Sequence, residues 1–258
     1  MSKFFLKSFN FIFYIAFVYS SGFIVKYAFA PYNIWPLAIV SPVALLYIWD
    51  KYDHRKLLSS FVYGLGYFTA GSWVFYSFSE HSDISFTISI IVTLIIVAAL
   101  SLGFIIVHVL TNKIKSPESF RILCLFPASW VLMEYFRTIS ELSYPWLFIS
   151  YSQTSSPIIY TSVFIGTYGT SFLIILFAGS IYLFLKKRKP SIALILLFLI
   201  SFVCYNYIFH EKTKHSTNIS TLLIQNNTSE QDKWDRNKLK NLITTYEKII
   251  LENLHPHS

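Results

Sequence analysis

Two opposite charges three residues apart, Glu134 and Arg137, interrupt an otherwise apolar run and so share one helical face. Charge inside an apolar run of membrane length is costly, so such groups pair with one another or meet a ligand. Just beyond them the chain turns aromatic, Tyr144-Pro145-Trp146-Leu147-Phe148, and closes on Tyr151-Ser152-Gln153. Tyr and Trp gather where a chain meets lipid headgroups. The stretch 127–157 therefore reads as a helix leaving a bilayer into an interfacial loop. Its candidate lipid- or substrate-facing groups are Glu134, Arg137, Tyr144 and Trp146, with an ion pair that fixes the loop as the competing role for the two charges. Nucleophiles are scarce. Cys124 and Cys204 both lie in apolar runs and read as small buried side chains, so neither a disulfide nor a metal site is expected. Lys26 and His108 also fall within apolar runs, with Lys26 near enough to a helix end to snorkel.

These residues must be positioned by a membrane bundle. Of 258 residues, 54% are hydrophobic and 13% charged, about half the charge of a soluble domain. Seven apolar runs can be marked, at 9–29, 34–49, 57–79, 84–110, 120–138, 158–185 and 190–209. The second is broken by Pro36 and Pro42 and the fifth by Pro127. A spanning helix needs about 20 residues. The first run follows Lys3 and Lys7 but is longer than a signal-peptide core and flows into further spans, so it is read as an uncleaved helix.

Charge sets the orientation. Twelve Lys and Arg residues occupy the N-terminus and alternate connections: Lys3 and Lys7; Lys51, Arg55 and Lys56; Lys113, Lys115 and Arg121; and 186–189. The other connections, 30–33, 80–83 and 139–157, hold none. This pattern places the N-terminus in the cytoplasm and the tail after residue 209 outside, which is the periplasm in a Gram-negative cell. The net charge of +8 lies in these clusters and not in a stripe, which excludes a nucleic-acid partner.

The tail changes character. Residues 219–225 read as a short strand and 226–234 as a polar turn. A helix capped by Asp235 should run to about Leu254, with Leu239, Leu242, Ile243, Tyr246, Ile249 and Ile250 on one face. One βα unit cannot cover its own apolar face. The tail is therefore expected to open a larger α/β domain that continues elsewhere.

Four stretches in order resemble the bacterial apolipoprotein N-acyltransferases. The first is Ala28-Phe29-Ala30-Pro31-Tyr32-Asn33-Ile34-Trp35-Pro36. The second is Gly64-Leu65-Gly66-Tyr67-Phe68-Thr69-Ala70-Gly71-Ser72-Trp73. The third joins Pro127, Ala128, Trp130, Glu134 and Arg137 to Pro145-Trp146 and Tyr151-Ser152-Gln153. The last is Gln225-Asn226-Asn227 followed by Lys233-Trp234-Asp235. The resemblance implies an all-α polytopic bundle of about seven transmembrane helices over 1–209, in the bacterial inner membrane. Residues 210–258 would be the incomplete start of a nitrilase-like α/β periplasmic domain.

By that resemblance the partners are a phospholipid acyl donor, an apolipoprotein acceptor and membrane lipids. The acyl chain passes through a Cys thioester to the α-amine of a diacylglyceryl-cysteine, with a Glu base and a Lys that stabilises developing charge. The family's catalytic Glu follows Trp-Pro, whereas the Trp-Pro of this chain, Trp35-Pro36, precedes Leu37. No catalytic residue carries over. The expected positions lie beyond Ser258, so this segment is expected to be inactive alone, with a separate chain able to supply the missing domain. Trp234 matches the family's tail tryptophan near the substrate approach, or anchors the tail on the membrane surface. No cofactor is expected. The alternative is a non-catalytic membrane protein, a small transporter or lipid-binding scaffold, although no internal repeat of the transporter kind is visible.

Overall fold

The computed structural model describes residues 2–72, 85–139, 143–186, 221, 223–229, 232–233 and 235–253, with side chains from Asn10 onward. Helix α1, Ser2–Phe23, continues into a tight 3-10 turn, Ile24–Ala28. Helix α2, Leu37–Lys51, starts directly after Pro36 and carries Pro42 inside. A short turn, Asp53–Arg55, leads to α3, Lys56–Thr69. Helix α4, Phe86–Lys113, is followed by α5, Phe126–Phe136, α6, Ser162–Leu185, and α7 in the tail, Arg236–Asn253.

Among the described residues three segments are long and apolar enough to cross a membrane: Asn10–Ala28, Phe86–Lys113 and Pro157–Leu185. The flank of α4 is exposed at Ile91, Leu94, Ile95, Leu102 and Ile106, a surface suited to hydrocarbon and not to water. The chain is a helical membrane protein. The seventh apolar run, 190–209, lies outside the described residues, as does the end of the third run.

Helix α3 sits at the centre, packed on α1 and α4, while α5 packs between α4 and α6. Small residues permit this. A side chain on Gly66 would strike the Tyr19 carbonyl of α1, and one on Gly22 would strike the Tyr63 carbonyl of α3. On the other flank of α3, a Cβ at Gly64 would lie 2.8 Å from Ser101 Cα of α4. Where lipid replaces water, such close backbone approach and interhelical hydrogen bonds replace the hydrophobic drive between helices. Both are present. Ser41 Oγ bonds the Ser21 carbonyl and the Tyr63 hydroxyl, each at 2.6 Å, tying α2 to α1 and α3. Tyr14 meets Ser59 at 2.6 Å, and Trp49 Nε1 donates to Ser60 Oγ at 2.9 Å.

The break expected at Pro127 takes a specific form. The chain enters α5 through a wide π-turn, Arg121–Leu125, and Pro127 occupies the first turn of the helix, where no backbone N–H is required. Gly179 of α6 approaches the Ile122 carbonyl of that turn. Arg121 Nη1 reaches back 2.7 Å to Asn112 Oδ1 on α4. At the same end Lys186 Nζ bridges Asp50 at 2.5 Å and Glu118 at 3.1 Å, joining the ends of α2, α5's entry and α6.

The tail helix forms where its periodicity places it, and Asp235 Oδ1 caps it by accepting from Asn237 N at 2.9 Å. None of its residues is buried, and Leu239, Ile243, Ile250 and Leu251 are exposed. The strand expected at 219–225 does not form at its described positions, 221 and 223–225, which are irregular; Leu223 is 95% exposed. A lone strand has no neighbour with which to pair its backbone groups.

Candidate functional site

Helix α5 delivers the site. Trp130 and Glu134 stand one turn apart, and Arg137 caps the helix with its N–H on the Met133 carbonyl. From there the chain returns across the helix end, and Tyr144 N donates 2.8 Å to the Arg137 carbonyl. The returning loop is then gripped at three backbone groups in succession. Arg137 Nη1 donates to the Trp146 carbonyl at 3.1 Å. The Tyr67 hydroxyl of α3 donates to the Leu147 carbonyl at 2.8 Å. Ile149 N donates to Glu134 Oε1 at 2.9 Å, and Trp130 Nε1 donates to the same oxygen at 3.2 Å.

The grip holds an unfavourable conformation. Leu147 has φ +59, a region that costs a non-glycine residue about 1–2 kcal/mol. Its side chain packs over Gly71, where a Cβ would lie 2.8 Å from Leu147 Cδ1 and 3.1 Å from the Tyr144 hydroxyl. The Arg137 guanidinium lies between the Phe68 and Phe148 rings, 5.1 Å from each centroid.

Glu134 and Arg137 share no direct hydrogen bond. Among the described residues Arg137 Nε and Nη2 have no hydrogen-bond partner, although the two charges lie close enough to interact. The expected ion pair is thus a divided brace. The carboxylate takes one side of Leu147, the guanidinium takes the other, and two aromatic faces hold the cation off its counter-charge. Ser150 Oγ and Gln153 Oε1 are further buried polar atoms without a partner among the described residues, and the Ser171 hydroxyl stands beside the carboxylate.

Four of the five predicted residues have a definite place. Glu134 is fully buried and Arg137 is 8% exposed, so both face the loop and not the lipid. Tyr144 is also buried, and its ring meets Trp146 edge-on at 5.2 Å. Trp146 is 47% exposed and is the member of the set that projects outward. Trp234 lies outside the described residues. Tyr67, Phe68 and Trp130 complete the site; they stand in the motifs that carry the resemblance but were not among the candidate site residues. Tyr67 and Phe68 stand in the glycine-rich stretch beside Gly66, which was the available signal.

A lateral groove of about 400 Å³ between α4 and α5 runs past Leu102, Gly103, Ile106 and Phe136 to Arg137 and Tyr144. Its apolar length and polar end suit an acyl chain. Among the described residues the site holds no cysteine. Cys124, expected to be buried, is instead free and exposed on the outer side of the π-turn at the opposite end of α5, and Cys204 lies outside the described residues. No cluster with metal-ligand chemistry occurs among the described residues. His108 packs edge-on against Trp49 at 4.8 Å, and Lys26 stands 5.6 Å over the Phe23 ring at the end of α1. The arrangement holds the loop rigidly beside an apolar groove.

The family model for the apolipoprotein N-acyltransferase N-terminal domain matches residues 21–180. The apolipoprotein N-acyltransferase of Coxiella burnetii is 33% identical over 237 residues, covering 88% of this chain and 48% of that protein. Those of Haemophilus influenzae and Wigglesworthia glossinidia brevipalpis are each 29% identical. They cover 91% and 86% of this chain and 46% and 45% of their own lengths. The chain thus spans about half the length of the curated relatives it matches.

Proposed function

Because the chain belongs to the apolipoprotein N-acyltransferase family, we propose that it forms the membrane part of an enzyme that acylates apolipoproteins. The donor is a phospholipid, and the acceptor is the N-terminal diacylglyceryl-cysteine. In this reading residues 1–209 form about seven spans in the inner membrane with the N-terminus in the cytoplasm. Residues 210–258 lie in the periplasm and open a nitrilase-like domain. The thioester-forming Cys, the Glu base and the Lys belong to that domain and not to this segment. Among the described residues the exposed apolar face of α7 is consistent with a helix that needs such a cover.

The observation that carries the reading is the braced aromatic loop. Glu134, Arg137 and Tyr67 fix the backbone on both sides of Leu147, Trp146 projects from that fixed base, and Arg137 and Tyr144 close the polar end of an apolar groove. A positioned platform converts a lipid that wanders in two dimensions into one presented in a single orientation. A transport role would require Glu134 to meet water or solute during a cycle, and it is wholly enclosed.

The test is a chimera in which this chain replaces the corresponding segment of the Coxiella burnetii relative, assayed for transfer of a labelled acyl chain from phospholipid to a diacylglyceryl lipopeptide. Transfer is expected, and Arg137→Gln should reduce it. A chimera that inserts and folds yet transfers nothing would refute the assignment.

A further inference from the structure

We propose that a pocket at the basic end of the bundle, between α1 and the Asp53–Arg55 turn, binds the headgroup of an anionic glycerophospholipid. The pocket has a volume of about 560 Å³, with Asn10, His54 and Arg55 at its polar rim and Phe13 and Phe17 along its wall. It lies at the opposite end of α3 from the braced loop and plays no part in that site.

Charge decides the ligand class. The Arg55 guanidinium lies over the rings of Phe11 and Tyr14, 5.0 and 5.2 Å from their centroids. Stacking on aromatic faces fixes a guanidinium while leaving its edge free to donate. The acids nearest in sequence are already engaged: Asp53 pairs with Lys56, and Asp50 with Lys186. The Lys56 bond holds the Asp53 carboxyl below its ordinary value, so it stays ionised and committed to that lysine. Among the described residues Arg55 has no carboxylate partner, and Lys51 adds a further cation at this end. The pocket is net positive and offers no acid to the ammonium of a zwitterionic headgroup.

Shape decides between a lipid and a soluble anion. Phe13 is 59% and Phe17 47% exposed, and they continue the pocket along the flank of α1 as an apolar strip. A small soluble anion has no use for that strip, whereas acyl chains below a phosphate require one. Basic pockets between helices at the cytoplasmic face select anionic lipids in this way.

The experiment is native mass spectrometry of the full chain in detergent, with equal amounts of phosphatidylglycerol and phosphatidylcholine of matched acyl chains. The protein should retain phosphatidylglycerol preferentially. Arg55→Gln should lower that preference about fivefold, the effect of removing one cation near the membrane surface. Asn10→Asp, at an exposed position that makes no buried contact, should lower it similarly without endangering the fold. Lys115→Gln, which removes an exposed cation of the same end outside the pocket, should leave it unchanged. Equal retention of both lipids, no change with Asn10→Asp, or the same loss with Lys115→Gln would overturn the site. So would displacement of the lipid by inorganic phosphate alone at comparable concentration, which would mark a soluble-anion site.

Discussion

Removing one charge of the divided brace should damage the protein more than its own contacts account for, because the other charge is left buried without its counter-charge. The variants are Glu134→Gln, Arg137→Met and the double change. Glutamine keeps an oxygen for Ile149 N and Trp130 Nε1, so the first variant isolates charge from hydrogen bonding. Methionine removes the bond to the Trp146 carbonyl, a loss of about 1 kcal/mol in itself. At an effective dielectric of about 20, two unit charges about 4 Å apart attract by about 4 kcal/mol, and a pair that shares no hydrogen bond attracts by less. Stranding one of them buried costs about 3–5 kcal/mol. The double variant strands neither, so the two single losses should exceed the double loss by about 2–3 kcal/mol. Thermal or denaturant unfolding of the full chain in detergent, followed by tryptophan fluorescence, reads this directly, since Trp130 contacts Glu134 and Trp146 rides on the loop. Single losses that sum to the double loss within about 0.5 kcal/mol would refute the coupling and reduce the brace to two unrelated hydrogen bonds.

Tyr67→Phe removes only the hydroxyl that holds the Leu147 carbonyl; a loss of about 1–2 kcal/mol and faster proteolysis of the 143–153 loop are expected. Gly66→Ala should prevent α1 and α3 from closing, seen as loss of monodisperse protein in detergent, because its Cβ has no space against the Tyr19 carbonyl. Gly166→Ala, at φ +65 and ψ −173 with nothing within 4 Å, should cost about 1–3 kcal/mol through its backbone alone and remain folded. At the basic end, burial pulls the Lys186 ammonium down, but its bonds to Asp50, Tyr182 and Glu118 outweigh this and raise it above its ordinary 10.5. A raised folded value means that its contribution is complete below pH 10.5 and fades as pH climbs through the higher folded value. The difference in melting temperature between the native chain and Lys186→Met should therefore be constant through pH 8–9.5 and shrink only at more alkaline pH; a gap that closes near pH 8 would refute this.

The helical plan was legible because hydrocarbon imposes long apolar runs, and the prolines at 36 and 127 marked their awkward starts. Glu134 and Arg137 announced themselves as charges in the wrong solvent. Their division of labour did not. It depends on where Phe68 and Phe148 place their rings, and no spacing rule brings residue 68 against residue 137. Tyr67 was hidden for a related reason: it is one of eighteen tyrosines, and its partner is a backbone carbonyl, which carries no residue identity. The tail helix was written in its periodicity and its Asp235 cap. The strand before it was over-read, since β-branched composition describes what would fit a sheet and supplies no neighbouring strand.

The Tyr67 bond also has a consequence for how the chain is built. Helices α1, α2 and α3 close on one another through Ser41, Tyr14, Trp49 and the two glycine contacts, all within residues 2–72 and so translated before α4. Tyr67 is set in that early unit, but its acceptor lies 80 residues downstream. Its hydroxyl must wait, inserted in the bilayer, until α4 and α5 have been threaded and the aromatic loop has folded back. Tyr67 is then the point at which the N-terminal half of the bundle registers that the second half has arrived.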